Sequence, residues 1–326
     1  MELVAVDIGG THARFSIVQI DGNGALELGE PVTLQTCDHA SFQTAWESFA
    51  ELQGASLPRD VAIAIAGPVG GEVIRFTNNP WIIRPSRICE KLGVDRFTLV
   101  NDFAAVGHAV AKTSSDAFLH LCGPDQAFGQ QGVLSIVGPG TGLGVAQLWQ
   151  DGAGGYRVQA TEGGHIDFAP VDVIDDAILA RLRQRHRRVS AERVVSGPGI
   201  VDIYHALAAV EGKAVVETDD RTLWERGVSD SDSLAAAAVD RFCLSLGSVA
   251  GDLALAHGAN GVVIAGGLGY RIRETLLGSG FAGRFSAKGR FEAMMAAMPV
   301  KLIALPQPGL FGAAAAFLQE HGTPNS

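Results

Sequence analysis

The sequence contains few cysteines, and none of them form a closely spaced pair. The four are Cys37, Cys89, Cys122 and Cys243, which are far apart along the chain. A disulfide framework needs several cysteines at regular spacings, and a cysteine zinc site needs pairs of the C-x-x-C type. The cysteine pattern therefore predicts neither kind of site, and we expect reduced thiols.

An excess of positive charge and a long uninterrupted apolar run are also missing. The formal net charge is −10, which argues against a general affinity for nucleic acid or for anionic membranes. Asp252 interrupts the apolar stretch 244–256, so we expect no membrane span. Glu2 leads directly into a predicted strand, so we expect no signal peptide. We therefore expect a soluble, cytoplasmic protein with no nucleic-acid partner and no membrane partner.

Glycine-rich turns, by contrast, are prominent, and two of them follow the same pattern. Residues 7–11 (DIGGT) lie between two strand-like segments, and so do residues 138–142 (GPGTG). The common phosphate loops open a helix, whereas these turns predict β-hairpins, in which glycine lets backbone N–H groups approach an anion. Either turn alone could be an ordinary hairpin turn. The matched pair favours an internally duplicated fold with two loops that hold one polyphosphate.

A third segment ends a predicted strand with a carboxylate. Residues 97–100 favour a strand that stops at Asn101 and Asp102. Ligands of open α/β sheets bind beyond the carboxyl ends of strands, so Asp102 could accept a proton from a substrate hydroxyl there. The alternative is that Asp102 caps the helix predicted for residues 103–110.

Two further segments carry polar side chains with competing structural explanations. Residues 162–165 (EGGH) could pass for a metal motif, but the two glycines argue against the helix that such ligand spacing requires. We predict a loop that offers a carboxylate and an imidazole for hydrogen bonding, with a purely structural glycine pair as the alternative. Ser190 is predicted to cap another helix, in which Glu192 would complement the helix dipole.

A last glycine cluster, residues 266–269, follows the apolar run 262–265. Glycines at this point would let a flat base or a ribose lie against the backbone. The alternative is a tight turn from a strand into a helix.

Taken together, these motifs resemble those of the bacterial glucokinases, within the actin-like ATPase and hexokinase superfamily. The resemblance runs essentially from end to end. A related branch of repressors and sugar kinases carries a cysteine-rich zinc motif after the histidine. No cysteine lies between Cys122 and Cys243, so we exclude that branch.

The resemblance implies an α/β fold of the two-domain actin-like ATPase (ribonuclease H-like) type, with a duplicated βαβ-type core around a central cleft. The small domain would contain residues 1–112 and 304–326, and the large domain residues 113–303. The implied activity is the transfer of the ATP γ-phosphoryl group to the 6-hydroxyl of D-glucose, which gives glucose 6-phosphate and ADP at the entry to glycolysis. ATP and Mg²⁺ are the implied cofactors, and glucose and ATP are the implied partners. A homodimer is left open as an alternative to a monomer.

The resemblance also implies a role for each motif residue. Asp102 would be the catalytic base, and Asp7 would lie at the metal. The sugar-binding residues would be Asn101, Asp102, Glu162, His165 and Glu192. The ATP-binding residues would be Val6, Asp7, Ile8, Gly9, Gly10, Thr11, Gly140, Thr141, Gly266 and Gly267.

Two rival functions use the same motifs. A non-catalytic sugar sensor would need no base, so Asp102 weighs against it. An ATP-driven conformational protein of the actin type would leave Glu162, His165 and Glu192 without a function.

Overall fold

The structure is a computed structural model, and it describes residues 1–76, 79–215 and 218–322. The chain divides into two compact units, which are described separately. Unit 1 contains Met1–Thr113 and the described residues from Leu305 onward, and unit 2 contains Ser114–Ala304. It stays a prediction that these two units are the functional domains.

Unit 1 is built on a mixed β-sheet with helices on both faces. Its strands are β1 (Glu2–Ile8), β2 (His12–Ile20), β3 (Leu26–Leu28), β4 (Val32–Gln35), β5 (Asp60–Ile65), β6 (Ile74–Arg75), β7 (Ile82–Ile83) and β8 (Arg96–Asn101). Its helices are α1 (Phe42–Gln53), α2 (Ile88–Leu92), α3 (Asp102–Lys112) and, from the end of the chain, α12 (Pro308–His321). The main sheet has the order β3-β2-β1-β5-β8, with β4 also paired to β2, while β6 and β7 form a separate ribbon.

Strand β1 is buried on both faces, as its continuous apolar sequence predicts. Val4, Val6 and Ile8 pack into the core that includes α1. Leu3 and Ala5 point to the opposite face and pack with α12. Strands β1, β5 and β8 are parallel, so the turn after β1 and the start of α3 lie at the same sheet edge.

Unit 2 repeats the strand plan with more helices. Its strands are β9 (Phe118–Cys122), β10 (Gln131–Pro139), β11 (Leu143–Asp151), β12 (Tyr156–Thr161), β13 (Gly261–Ile264) and β14 (Val300–Ile303). Its helices are α4 (Val173–Arg183), α5 (Gly199–Val210), α6 (Asp220–Val228), α7 (Ser233–His257), α8 (Gly266–Arg271), α9 (Arg273–Gly278), α10 (Phe281–Ser286) and α11 (Glu292–Ala296). The sheet order is β12-β11-β10-β13-β14-β9.

The two predicted glycine hairpins are confirmed. β1 and β2 pair antiparallel, as do β10 and β11. In each unit the first strand of the hairpin also pairs in parallel with a later strand, β5 or β13. The two units thus share the order of five strands, β3-β2-β1-β5-β8 in unit 1 and β12-β11-β10-β13-β14 in unit 2, as the matched sequence motifs predicted.

Helix α7 corrects one expectation from the sequence. By length and composition alone it could cross a membrane, so Asp252 does not disqualify the stretch as we expected. However, 72% of its most apolar window is buried inside the protein. Asp252 itself pairs with Lys288 at 2.7 Å. We therefore interpret α7 as a core helix of unit 2.

Candidate active site

The first glycine turn follows β1 and is closed by its own backbone. Gly9 N donates to His12 O at 2.9 Å, and Thr36 Oγ1 donates to Gly10 O at 3.0 Å. Asn79 Nδ2 donates to Gly9 O at 3.4 Å. The amide of Gly9 is therefore used by the turn itself, so Gly10 and Thr11 are the residues whose N–H groups can face an anion.

Asp7 lies one residue before the end of β1, partly buried, beside Arg14 of β2. Burial raises the pKa of the Asp7 carboxyl, and the Arg14 guanidinium, 3.3 Å from Asp7 Oδ2, opposes that rise. A Cβ at Gly309, at the start of α12, would lie 2.9 Å from Asp7 Cγ, so glycine allows this close packing. The hairpin register Asp7↔Arg14 could have revealed this arginine from the sequence, but we did not single it out.

Asp7 fits a magnesium site of the kind that nucleotides complete. Mg²⁺ is usually held by one or two carboxylates together with phosphate oxygens and water. Within the described ranges, no cluster of three or more His, Cys, Asp or Glu side chains could hold a metal by itself. A lone carboxylate such as Asp7 therefore suits a metal that arrives with its nucleotide.

Val6 and Ile8 are placed differently from the rest of the predicted nucleotide set. Both side chains are completely buried in the core of unit 1. Only their main-chain atoms could therefore approach a nucleotide.

The structure assigns the cap of α3 to Asn101 rather than to Asp102. Asn101 Oδ1 accepts hydrogen bonds from Phe103 N at 2.9 Å and Ala104 N at 3.0 Å, and Asn101 Nδ2 donates to Gly67 O at 3.2 Å. The alternative that Asp102 caps the helix is therefore wrong. Asp102 is the first residue of α3 and its Oδ1 accepts from Phe103 N at 2.9 Å, where the helix dipole favours a negative charge.

The second glycine turn resembles the first in its closure. Gly140 N donates to Gly142 O at 2.8 Å, so the Gly140 amide is engaged and Thr141 is the exposed tip. A Cβ added at Gly140 would meet nothing within 4 Å. The turn therefore has open space on the side from which an anion could approach.

The glycines 266 and 267 lie at the same sheet edge as the second turn. Gly266 has a φ of +87°, and a Cβ there would lie 2.8 Å from Pro139 O. Gly267 is exposed, and a Cβ added to it would meet nothing within 4 Å. Helix α8 begins directly at Gly266, so the tight strand-to-helix turn is present. That turn explains Gly266 but does not explain the open surface at Gly267.

Residues 163–165 form a single 3₁₀ turn within the segment predicted as a loop. A Cβ at Gly163 would lie 2.9 Å from Val145 Cγ1, and a Cβ at Gly164 would lie 2.2 Å from Leu143 O. The glycine pair is therefore required for close packing on β11, which supports its structural interpretation. This packing also presents Glu162 and His165 at the surface, on either side of the glycines.

The three predicted sugar ligands of unit 2 come together around one imidazole. His165 Nε2 lies 3.9 Å from Glu162 Oε2 and 3.9 Å from Glu192 Oε1. Glu162 and His165 are exposed, whereas Glu192 is partly buried. Such a group can donate and accept hydrogen bonds toward several hydroxyls of one small polyol.

The helix predicted to begin at Ser190 is wrong. Only a 3₁₀ turn, Ala191–Arg193, is present, and the Ser190 side chain makes no capping bond. Ser190 instead pairs with Asp167 in an isolated bridge. Glu192 Oε2 accepts a hydrogen bond from Leu143 N at 3.0 Å, so the helix-dipole explanation of Glu192 is also wrong.

The sequence did not reveal two residues that support the second glycine turn, Gly197 and Trp224. Gly197 N donates to Gly140 O at 2.7 Å, and Trp224 Nε1 donates to Gly197 O at 2.9 Å. Neither residue belongs to a motif, and the contacts join segments far apart in the chain. No local pattern could have revealed them.

Comparison with known proteins shows which family this sequence and this fold resemble. A family model described as Glucokinase matches residues 3–320. A glucokinase of Zymomonas mobilis is 58% identical over 321 residues, which are 98% of this chain and 99% of that protein. A glucokinase of Paramagnetospirillum magneticum is 39% identical and covers 96% of each chain. The crystal structure of a glucokinase from an Antarctic psychrotroph matches with a TM-score of 0.85 and 33% identity, over 98% of this chain and 99% of that one. The predicted fold class is confirmed by this structural match.

Proposed function

The chain belongs to the glucokinase family, and from that premise we propose that it transfers the γ-phosphoryl group of ATP to the 6-hydroxyl of D-glucose. The products are glucose 6-phosphate and ADP. The observation that carries the proposal is the position of Asp102, at the carboxyl end of β8 and the first turn of α3, next to a residue that already caps the helix. Because Asn101 supplies the cap, the place of the Asp102 carboxylate at this sheet edge supports a role as a base.

Asp102 acts as the general base in this proposal. As the sugar oxygen attacks the γ-phosphorus, its proton passes to a carboxylate oxygen of Asp102, and the bond between the γ-phosphorus and the bridging oxygen of ADP breaks. Proton transfer of this kind contributes roughly 10²–10⁴ in rate. Asn101 supports the reaction by fixing the start of α3, and one N–H of its amide is left to bond a sugar hydroxyl.

The turns of unit 1 and unit 2 neutralise and orient the phosphates. Phosphoryl transfer asks a protein mainly for positioning and for charge stabilisation. Backbone amides at Gly10, Thr11 and Thr141 would donate to phosphate oxygens, and Gly267 would lie against the adenosine. Asp7 would hold Mg²⁺, which supplies further charge neutralisation when it is bound with ATP.

In this proposal the sugar is bound and selected by three side chains of unit 2, those of Glu162, His165 and Glu192. Ionised acceptors make stronger hydrogen bonds to hydroxyls than neutral ones do. Two carboxylates and an imidazole in contact distance can therefore favour one arrangement of hydroxyls over its epimers.

A cytoplasmic location, with the two units as functional domains, completes the proposal. All four cysteines are free thiols, as is usual in a reducing compartment. ATP and glucose are the proposed partners there.

The test measures ADP release by the purified protein, with ATP and Mg²⁺, in the presence and absence of glucose. We expect release that depends on glucose and matches the glucose 6-phosphate formed. Glucose binding without ADP release would instead identify a sugar sensor. ADP release at the same rate without any sugar would identify an ATP-driven conformational protein.

A further inference from the structure

Leu143 directly follows the second glycine turn, which is the proposed phosphate turn of unit 2. Its backbone contacts the two segments that carry the proposed sugar-reading residues, Glu162, His165 and Glu192. Its N–H donates to Glu192 Oε2 at 3.0 Å. Its carbonyl oxygen lies against Gly164, between Glu162 and His165, so closely that a Cβ at Gly164 would be 2.2 Å away. The two segments of unit 2 that carry proposed sugar ligands therefore both contact the backbone of a single residue of the hairpin.

The segment that carries Glu192 also holds the turn itself. Gly197 N donates to Gly140 O at 2.7 Å. Upstream, Ala191 N donates to Ile166 O at 2.8 Å, next to His165. Trp224, which is buried, donates to Gly197 O and packs edge-to-face on Phe242. The segment 191–197 is thus fixed to the core of unit 2, and it is bonded to the phosphate turn through Gly197 and to the sugar-reading segment through Ala191.

The Glu192 side chain lies between His165 and the hairpin of β10 and β11. Its Oε1 atom is directed at His165, whereas its Oε2 atom is bonded to Leu143 N. Gly142 allows this contact, because a Cβ there would lie 2.5 Å from Glu192 Oε2. A sugar hydroxyl that bonds Oε1 therefore restrains the carboxylate that holds the turn.

We propose that Glu192 is a coupling residue, through which a bound sugar positions the phosphate turn for the nucleotide. The proposal rests on the proposed function, in which both ligands bind. Sugar binding restricts the motion of the Glu192 carboxylate, and the hydrogen bond from Leu143 N–H then restricts the turn. The nucleotide therefore binds to a turn that is already ordered. By linkage, the nucleotide then raises the affinity for sugar by the same factor.

The experiment measures the Kd of AMPPNP with Mg²⁺ by titration calorimetry, with and without saturating glucose. We expect glucose to tighten AMPPNP binding about fivefold or more in the unchanged protein, which is the low end of typical coupling. In Glu192→Ala this ratio should fall close to one, even at glucose concentrations that saturate the variant. Glu192→Gln keeps an oxygen that can accept from Leu143 N, so its ratio should lie between the two.

His165→Ala is the matched control. His165 belongs to the same sugar-reading group, but its side chain has no hydrogen bond to the turn among the described contacts. We expect weaker glucose binding in this variant with an unchanged AMPPNP ratio at saturating sugar. A ratio that falls equally in both variants would overturn the proposal, because loss of coupling would then follow sugar contact in general.

Gly142→Ala provides a second test that leaves Glu192 chemically intact. The new Cβ displaces the end of the Glu192 side chain from Leu143 N, and Gly142 does not have the positive φ that would make alanine strained. We expect the coupling ratio to fall here as well.

Equal AMPPNP affinity with and without glucose, in a protein that binds both, would overturn this inference alone. Failure of the unchanged protein to bind glucose or AMPPNP would overturn the proposed function, and this inference with it.

Discussion

The two glycine hairpins have the same strand plan but are held by different groups. The turn of β1 and β2 is supported by neutral partners, Thr36 and Asn79. The turn of β10 and β11 is supported by Gly197 and by the Glu192 carboxylate. In the first hairpin the charged groups, Asp7 and Arg14, lie on the strands themselves.

This difference indicates how a duplicated fold comes to carry two kinds of chemistry. The sheet edge of unit 1 gathers a partly buried acid, an arginine and Asp102, which suit a metal, phosphate charge and proton transfer. The corresponding part of unit 2 links its glycine turn to the side chains that we propose bind the sugar. The comparison predicts that substitution of Asp102 in unit 1 lowers the rate of the chemical step, whereas substitutions at the turn and the acidic side chains of unit 2 change affinity and selectivity.

The largest expected effect comes from Asp102→Asn in unit 1. We expect kcat to fall roughly 10²–10⁴-fold because the base is lost, while the Kd of glucose stays nearly constant. Steady-state kinetics and calorimetry measure the two quantities separately.

The control for this variant is Asn101→Ala, which removes the α3 cap. That change should cost about 0.5–2 kcal/mol of stability, whereas Asp102→Asn should leave the thermal midpoint nearly unchanged. A near-normal kcat in Asp102→Asn would remove the base assignment and with it the contrast between the units.

The second prediction tests whether the turn of unit 2 holds phosphate. Gly140→Val places a side chain in the open space at the turn, where it should block a phosphate without disturbing the fold. Loss of one hydrogen bond to a charged group costs about 1.5–3 kcal/mol, or roughly tenfold to a hundredfold in the Kd of ATP. The Kd of glucose alone should not change.

Gly22→Val is the matched control, since a Cβ at Gly22 also meets nothing within 4 Å and Gly22 lies outside the predicted site. If Gly140→Val binds ATP as tightly as this control does, the second hairpin is only a structural turn.

The third prediction concerns sugar selectivity in unit 2. An epimer such as galactose leaves a partner of the sugar hydroxyls unpaired, at about 1–3 kcal/mol for each lost hydrogen bond. We therefore expect kcat/KM for glucose to exceed that for galactose clearly, and Glu192→Ala to narrow the gap. Selectivity that is the same with and without Glu192 would limit this residue to holding Leu143 N.

Metal analysis tests the prediction that residues 162–165 bind sugar and not metal. One zinc or iron per chain in the purified protein, lost in His165→Ala, would show that this segment binds metal and not sugar.

The smallest expected effect is the loss of stability in acid, to which both units contribute. Burial lowers the pKa of His108 on α3 from 6.5 to about 4. Folding then disfavours its protonation, so stability is fully present above pH 6.5 and is lost as the pH falls toward 4. Between pH 7 and pH 5 we expect unit 1 to lose about 2 kcal/mol.

Unit 2 should respond in two steps. Burial also lowers the pKa of His257 on α7, so unit 2 begins to lose stability as the pH falls below 6.5, and Asp172 adds a second loss at lower pH. Burial acts to raise the pKa of Asp172, but the hydrogen bond and charge of Arg241, with Arg284, outweigh it and lower the pKa to about 2. Its stabilisation is present above about pH 4 and is lost as the pH falls toward 2. Urea unfolding of the unchanged protein and of His108→Gln, at pH 7 and pH 5, tests the contribution of His108. An identical pH dependence in both would exclude His108 as the source.

Much of the fold follows from local sequence, because hairpins and helices are set by contacts between near neighbours. The glycine turns, the apolar run of β1 and the Ser41 cap of α1 all depend on residues within a few positions of each other. The helix predicted for residues 103–110 therefore lies within the observed limits of α3. The helix predicted at Ser190 is absent: Ser190 makes no side-chain cap and its backbone forms a bridge with Asp167.

The candidate site likewise combines residues that the sequence could identify with contacts that it could not. Asp102 and His165 could be chosen from the sequence, because their residue types and neighbours carry chemical meaning, and Asp7 could be chosen from the resemblance to the glucokinases. The contact between Glu192 and Leu143, which lie 49 residues apart, could not, since a hydrogen bond of that kind exists only after the sheet and the 3₁₀ turn have packed. The same holds for Gly164, whose missing side chain matters only because Leu143 O occupies the space. What each residue can do chemically was in the sequence; which of them touch was decided by the packing of β11 against the segments that follow it.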